Sequence, residues 1–327
     1  MSAVSPADPA ADRLLLISVV IPVYNSEETI PPAWAALRAT VAQLREGYAW
    51  EVIFVDDGSR DASYARLVEI FSALPDRVRV VKLTRSFGRV PAILAGFRVA
   101  RGDCCIVMSS DLQDPPALML EMVQRWQRGA HKIVLATRSD REDGAWARWA
   151  SRTFYRLMRR FAIPNMPASG FEVFLVDRRV VELIRRFEET STFIQGNVLW
   201  AGFVPEVIGY TRPLGRSGRT RSQRVADFID GFVSYTVAPV RLITIVGLVV
   251  SALSFAWATL IFVARLFWLI PVQGWAPTMI AILMLAGVQL VMLGIIGEYL
   301  WRNLYETRRR PNFVVESMLG GLADDEV

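Results

Sequence analysis

The chain has 327 residues and a formal charge of +5, with 53% hydrophobic and 21% charged residues. A mean hydropathy of +0.30 excludes a disordered chain and exceeds what a typical water-soluble enzyme carries. One histidine excludes a mechanism built on several, and two cysteines exclude a disulfide scaffold and a four-cysteine or Cys/His zinc site.

Met1–Asp12 is rich in Pro, Ala and Asp and lacks a basic start, so residues 1–12 read as a disordered tail rather than a signal peptide. Short β-branched runs then alternate with helical patterns. Leu14–Val23, Val52–Val55, Val78–Leu83, Cys104–Met108 and Lys132–Ala136 read as strands buried on both faces. Cys104 and Cys105 read as buried strand residues, and His131 as structural. Glu28–Glu46, Ala62–Leu74, Val90–Ala100 and Pro115–Arg128 read as helices, the last with Asp114 as its N-cap. This alternation predicts an α/β fold with a mostly parallel sheet, over a domain of residues 13–224.

Ligands of such sheets bind at the carboxyl ends of the strands. Three of those ends are polar: Pro22-Val23-Tyr24-Asn25, Asp56-Asp57-Gly58-Ser59 and Ser109-Ser110-Asp111-Leu112-Gln113-Asp114. Carboxylates at neighbouring strand ends suit a nucleotide, one accepting from a ribose or base and another holding a divalent cation. No G-x-G-x-x-G follows the first strand and no G-x-x-x-x-G-K-[ST] occurs, which argues against a dinucleotide dehydrogenase and a P-loop enzyme.

Beyond the strands, residues 212–224 carry five arginines. Val225–Val237 follows with Phe228, Ile229, Phe232, Val233 and Tyr235 among polar positions, an interfacial amphipathic helix placed within residues 225–240. That neighbour makes anionic lipid, not nucleic acid, the expected partner of the basic run. Residues 242–264 and 275–297 are two uncharged runs of 23, each about 35 Å long as a helix, so residues 241–301 are expected to form two transmembrane helices. Arg241 before them and Arg302, Arg308, Arg309 and Arg310 after them are expected to put the α/β domain, both termini and the 302–327 tail in the cytoplasm, with Arg265 snorkelling to the far interface. Gly287, Gly294 and Gly297 suit helix packing within one chain or between chains of a homo-oligomer.

Val20-Ile21-Pro22-Val23-Tyr24-Asn25, Val55-Asp56-Asp57-Gly58-Ser59 and Ser110-Asp111-Leu112-Gln113-Asp114-Pro115-Pro116 resemble family 2 glycosyltransferases of the GT-A fold. Leu83-Thr84-Arg85-Ser86-Phe87-Gly88 and Gly297-Glu298-Tyr299 narrow the resemblance to the polyprenyl-phosphate group, which includes dolichol-phosphate mannosyltransferases and bacterial undecaprenyl-phosphate (bactoprenol) glucosyltransferases. It runs from about Leu16 to Val315.

The resemblance implies inverting transfer of a hexose from a UDP- or GDP-sugar to undecaprenyl or dolichyl phosphate, at a bacterial inner membrane. It implies nucleotide-sugar binding by Pro22, Tyr24, Glu27, Asp56, Asp57, Asp111 and Arg221, and Mg²⁺ or Mn²⁺ at Asp111 and Gln113. Ser109 stands where the family's first signature aspartate would be, so Asp111 and Gln113 are expected to suffice with diphosphate and water. The resemblance also implies that Arg138, Arg148, Ser151, Arg152, Arg216 and Thr220 hold the lipid phosphate. Asp111, Arg138 and Glu172 are the expected catalytic residues; Glu172 replaces an aspartate of the family's Gly-Gly-Phe-Asp type motif, and orients the sugar or assists the acceptor. Two rival readings remain, a processive polysaccharide synthase and a nucleotide-sugar-binding scaffold without activity.

Overall fold

The computed structural model describes residues 14–45, 47–110, 114–138, 170–187, 193–211, 275–307 and 310–321, with scattered positions in 156–167 and 245–263. Two compact units divide the chain. The first is Met1–Gly231 with Pro311–Val327, and the second is Phe232–Arg310.

In chain order the first unit runs β1 (Leu15–Val23), α1 (Ile30–Val41), β2 (Tyr48–Asp56), α2 (Ser63–Ala73), β3 (Val78–Leu83), α3 (Arg89–Val99) and β4 (Cys104–Val107). It continues through α4 (Leu118–Gln127), β5 (Ile133–Arg138), β6 (Val173–Asp177), α5 (Arg178–Arg185), α6 (Ile194–Trp200) and β7 (Glu206–Tyr210). The second unit contributes α7 (Trp275–Thr307), after which the chain returns to the first unit as β8 (Val315–Leu319).

One eight-stranded sheet has the order β7-β5-β6-β4-β1-β2-β3-β8. β1, β2, β3 and β4 are parallel neighbours, and β5 pairs parallel with β7. β6 and β8 run antiparallel. The sequence pattern predicts neither of these strands. Val173–Asp177 is short and follows an irregular segment, and Val315–Leu319 lies beyond the apolar C-terminal runs, where its Val-Glu-Ser-Met-Leu string has no neighbouring strand pattern to support it.

Alternation along β1 explains the layering. Ile17, Val19, Ile21 and Val23 enter a core with Ile30 and Leu37 of α1 and Met119, Met122 and Val123 of α4. Val20 points the other way, towards α3, where a Cβ on Gly96 would stand 2.3 Å from a Val20 methyl; only glycine allows this helix to lie so close. Ile17, Val19, Val20, Cys104 and Cys105 are fully buried, as a doubly covered sheet requires.

One expected boundary moves. α4 begins at Leu118 with Ala117 as N-cap, not at Pro115 with Asp114. Pro115 and Pro116 instead form a turn in which the Leu118 and Met119 amides donate to their carbonyls. Asp114 is buried and accepts a hydrogen bond from the Tyr210 hydroxyl of β7.

In the second unit, α7 is continuous for 33 residues and contains the whole uncharged run 275–297. Among the residues whose side chains are described, no helix presents a stretch long and apolar enough to cross a membrane. Most of the 242–264 run, the disordered tail expected over residues 1–12, and the interfacial helix expected over 225–240 lie outside the described residues.

Candidate active site

The carboxyl ends of β1, β2 and β4 form a continuous polar rim. Its β1 and β2 loops are stitched together. The Asn25 amide donates to the Ser59 hydroxyl at 3.0 Å, and the Asn25 side-chain oxygen accepts from the Arg60 amide at 2.9 Å. Asn25 has φ +46°, a left-handed conformation that asparagine tolerates. The Ser26 amide donates to the Ser63 hydroxyl at 2.7 Å. Glu27 is part of this seam: its carboxylate accepts from the Ala62 amide at 2.8 Å while its own amide donates to Asp61. Pro22, one residue before the end of β1, pairs in register with Val55, and Tyr24 stands 48% exposed at the rim.

The two adjacent aspartates have different surroundings. Asp57 is saturated. Its carboxylate accepts from the Phe87 amide at 2.8 Å, the Ser86 hydroxyl at 2.8 Å and the Gly88 amide at 3.0 Å. Among the described residues Asp56 accepts from Ser59 alone, whose amide stands 3.3 Å from Oδ1, while its buried Oδ2 has no hydrogen-bond partner. Burial pushes the Asp56 carboxyl above its ordinary value, against the pull of the Ser59 hydrogen bonds and Lys82. A buried carboxylate oxygen without a donor is costly, so Asp56 suits a ligand N–H or O–H. Gly58 makes the turn possible: it has φ +66°, and a Cβ there would stand 2.5 Å from the Arg85 backbone.

Lys82, opposite Asp56 in β3, is drawn outward. Its ammonium bonds Glu316 of β8 at 2.8 Å and lies 4.9 Å from the Tyr64 ring centre. That hydrogen bond raises the Lys82 pKa. The Thr84 amide donates to the Val314 carbonyl, so the chain re-enters this unit at the site's end of the sheet.

At the end of β4, Ser109 and Ser110 are half-buried, and the Ser26 and Ser110 hydroxyls are 3.4 Å apart. Asp111 and Gln113 lie outside the described residues, as do Arg148, Ser151, Arg152, Arg216, Thr220 and Arg221. Arg138 closes β5 in register with Tyr210. Glu172 precedes β6; Arg89, the first residue of α3, donates to its carbonyl at 3.4 Å and approaches its carboxylate at 3.9 Å. Sequence reasoning missed Arg89 and Tyr210. The glycine before Arg89 and the Ser86-Phe87-Gly88 string marked the place, but no local pattern reveals contacts across 83 and 96 residues.

Among the described residues no group of three His, Cys, Asp or Glu side chains could hold a metal ion. The donor set proposed for one, a carboxylate and an amide carbonyl directly after two serine hydroxyls, is all oxygen and fits a hard divalent cation.

Residues 18–185 match the family described as Glycosyl transferase family 2, and residues 238–302 match the GtrB C-terminal hairpin. The chain is 33% identical to a bactoprenol glucosyl transferase of Shigella phage SfV, over 92% of this chain and 98% of the relative. It is 32% identical to the uncharacterized glycosyltransferase YkcC of Bacillus subtilis, over 94% and 95%. A mannosyl-3-phosphoglycerate synthase from Rubrobacter xylanophilus has a similar structure with a TM-score of 0.48 and 17% identity, covering 66% of this chain and 72% of that one.

Proposed function

The chain belongs to glycosyl transferase family 2, and from that premise we propose that it transfers a hexose from a nucleotide-diphosphate sugar to a polyprenyl phosphate at a membrane. The observation that carries the donor half is the Asp56 carboxylate, buried at the rim between β1 and β2 with one oxygen lacking a donor among the described residues. A nucleobase or ribose would supply that donor. Pro22 and Tyr24 line the same rim, while Glu27 and Asp57 act by holding its loops.

The acceptor half draws on the relatives named as bactoprenol glucosyl transferases and on the second unit. There Ile245, Val249, Leu253 and Trp257 recur every four residues and are each more than half exposed, and Ile282, Met284, Leu293, Ile296 and Leu300 of α7 are exposed as well. Large apolar side chains displayed in such number suit hydrocarbon rather than water. Gly247 packs close to Met292, where a Cβ would stand 2.8 Å from the methionine methyl. β8 belongs to the same sheet as β1, which supports a reading in which the chain on either side of the second unit stays on one side of the membrane and crosses it an even number of times. Two helices near 242–264 and 275–297, with the sheet in the cytoplasm, satisfy this.

In the transfer, a lipid phosphate oxygen attacks the anomeric carbon as the bond to the diphosphate breaks, with inversion, and the nucleoside diphosphate leaves with the electron pair. The phosphate monoester has a second pKa near 6, so it needs positioning more than deprotonation. Arg138, Arg148, Ser151, Arg152, Arg216 and Thr220 supply cations and hydroxyls for it, and Arg221 for the leaving diphosphate. Asp111 and Gln113 would hold Mg²⁺ or Mn²⁺, whose charge stabilises the departing diphosphate when bound.

The test is incubation of membranes carrying the protein with labelled nucleotide sugars and polyprenyl phosphate, followed by organic extraction. Label in a mild-acid-labile lipid is expected, and its loss in EDTA with recovery on Mn²⁺ supports the metal. Label in polymer favours a processive synthase; binding without transfer favours a scaffold.

A further inference from the structure

The second aspartate of the Asp-Asp-Gly-Ser turn and the first residue of α3 belong to one continuous set of contacts leading away from the nucleotide rim. Asp57 gathers the Ser86 hydroxyl and the Phe87 and Gly88 amides on its two oxygens. Those three residues are the segment that starts α3, with Gly88 as N-cap at φ +103°. The next residue is Arg89. Its guanidinium reaches Glu172 twice, donating to the main-chain carbonyl at 3.4 Å and standing 3.9 Å from the carboxylate. The side chains are 29% and 32% exposed, open to a ligand yet partly shielded. A planar guanidinium held at its root and touching one residue at both backbone and side chain fixes that residue's direction, which a flexible ammonium would do less well. The carbonyl of neighbouring Phe171 is held in turn by the Gln195 amide of α6 at 3.1 Å, and Phe171 packs edge-on against Phe174.

We propose that Arg89 is a positioning residue that aims the Glu172 carboxylate for sugar transfer, and that Asp57 holds Arg89 in place through the 86–88 turn. This rests on the glycosyltransferase reading above. It assigns Asp57 to the alignment of the acceptor side, although the residue sits beside the nucleotide-facing Asp56. The one-residue offset matters physically. Asp56 is the last residue of β2 and points into the sheet's rim, whereas Asp57 turns to the start of the neighbouring helix.

A double-mutant cycle tests it, using full-length protein in membranes with UDP-glucose and undecaprenyl phosphate as probes, and the other nucleotide sugars if wild type leaves UDP-glucose unused. Arg89→Gln and Glu172→Gln are each expected to lower kcat by about tenfold or more, with the donor KM little changed. Arg89→Gln combined with Glu172→Gln is expected to be no slower than Glu172→Gln alone, because both remove the same alignment. Arg89→Lys should restore part of the loss, and all variants should melt at the wild-type temperature. Losses that multiply in the double variant, or a Glu172→Gln enzyme with full kcat, overturn the proposal while leaving the transfer reading intact. Wild-type membranes that label no lipid with any donor overturn the transfer reading and this inference together.

Discussion

Two carboxylates on β2, Glu51 and Asp56, sit in opposite halves of the same strand, and only one of them is fully satisfied. Glu51 accepts from the Ser18 hydroxyl at 2.5 Å and the Arg101 amide at 2.8 Å on one oxygen, and pairs with Arg79 at 3.1 Å on the other. Ser18 accepts in turn from the Gly102 amide, and Arg79 donates to the Val99 carbonyl. Asp56 is equally buried but keeps one oxygen without a partner among the described residues. The Glu51 cluster in the amino-terminal half of the sheet is therefore closed by its own polar groups, although the Tyr48 hydroxyl at the start of β2 is buried without a hydrogen-bond partner among the described residues. At the carboxyl end Asp56 is left one donor short among the described residues, which is where the proposed ligand would supply one. On the proposed reading, the difference separates a structural carboxylate from a binding one without reference to any motif.

The comparison is tested most severely by Glu51→Gln. Breaking a buried pair leaves Arg79 uncompensated, and a loss of about 3–5 kcal/mol in urea unfolding is expected. Little or no loss would show that the Glu51 cluster does not close that end of the sheet.

Asp56→Asn should behave in the opposite way. Donor KM should rise about tenfold to a hundredfold, the worth of a hydrogen bond to a charged group, while the protein becomes more stable near neutral pH. The sign follows from the carboxyl's raised pKa, caused chiefly by burial. A raised acid favours the fold fully below its ordinary value of about 4. That contribution is lost as pH climbs through the raised value. The stability gap between variant and wild type should thus open upward through that window and then level off. A destabilised Asp56→Asn protein with unchanged donor KM would remove the basis of the contrast.

Asp177 offers a smaller test at the closed end. Burial raises its carboxyl, but the Trp126 ring N–H, the Arg179 amide and Lys132 outweigh this and hold it below the ordinary value. Its contribution is present above the ordinary carboxylate pKa and lost as pH falls through the lowered one. Asp177→Asn should cost about 1–2 kcal/mol at neutral pH and flatten the acid limb of the stability curve. A limb as steep as wild type would argue against the network.

The smallest expected effect is none at all. Burial pushes the Cys105 thiol up to about 12, with Glu51 adding to it, and raises Cys104 well above its ordinary value. Neither should react with iodoacetamide in the folded protein near neutral pH, whereas both should after denaturation. Rapid alkylation of the native protein would mean that the closed end opens.

Strand–helix alternation, the polar strand ends and the apolar C-terminal runs were legible in the sequence, because they depend on period and composition within a few residues. β3, Val78–Leu83, has the bounds that its pattern predicts. What only the tertiary structure decided depends on partners far away in the chain. It made Val315–Leu319 a strand by offering it the edge of β3, and it drew Asp114 away from capping α4 to meet Tyr210. It also divided Asp56 from Asp57, which the sequence presents as equals. A strand turns successive side chains in opposite directions, so one residue of offset sends the first carboxylate to the open rim and the second into the turn that starts α3.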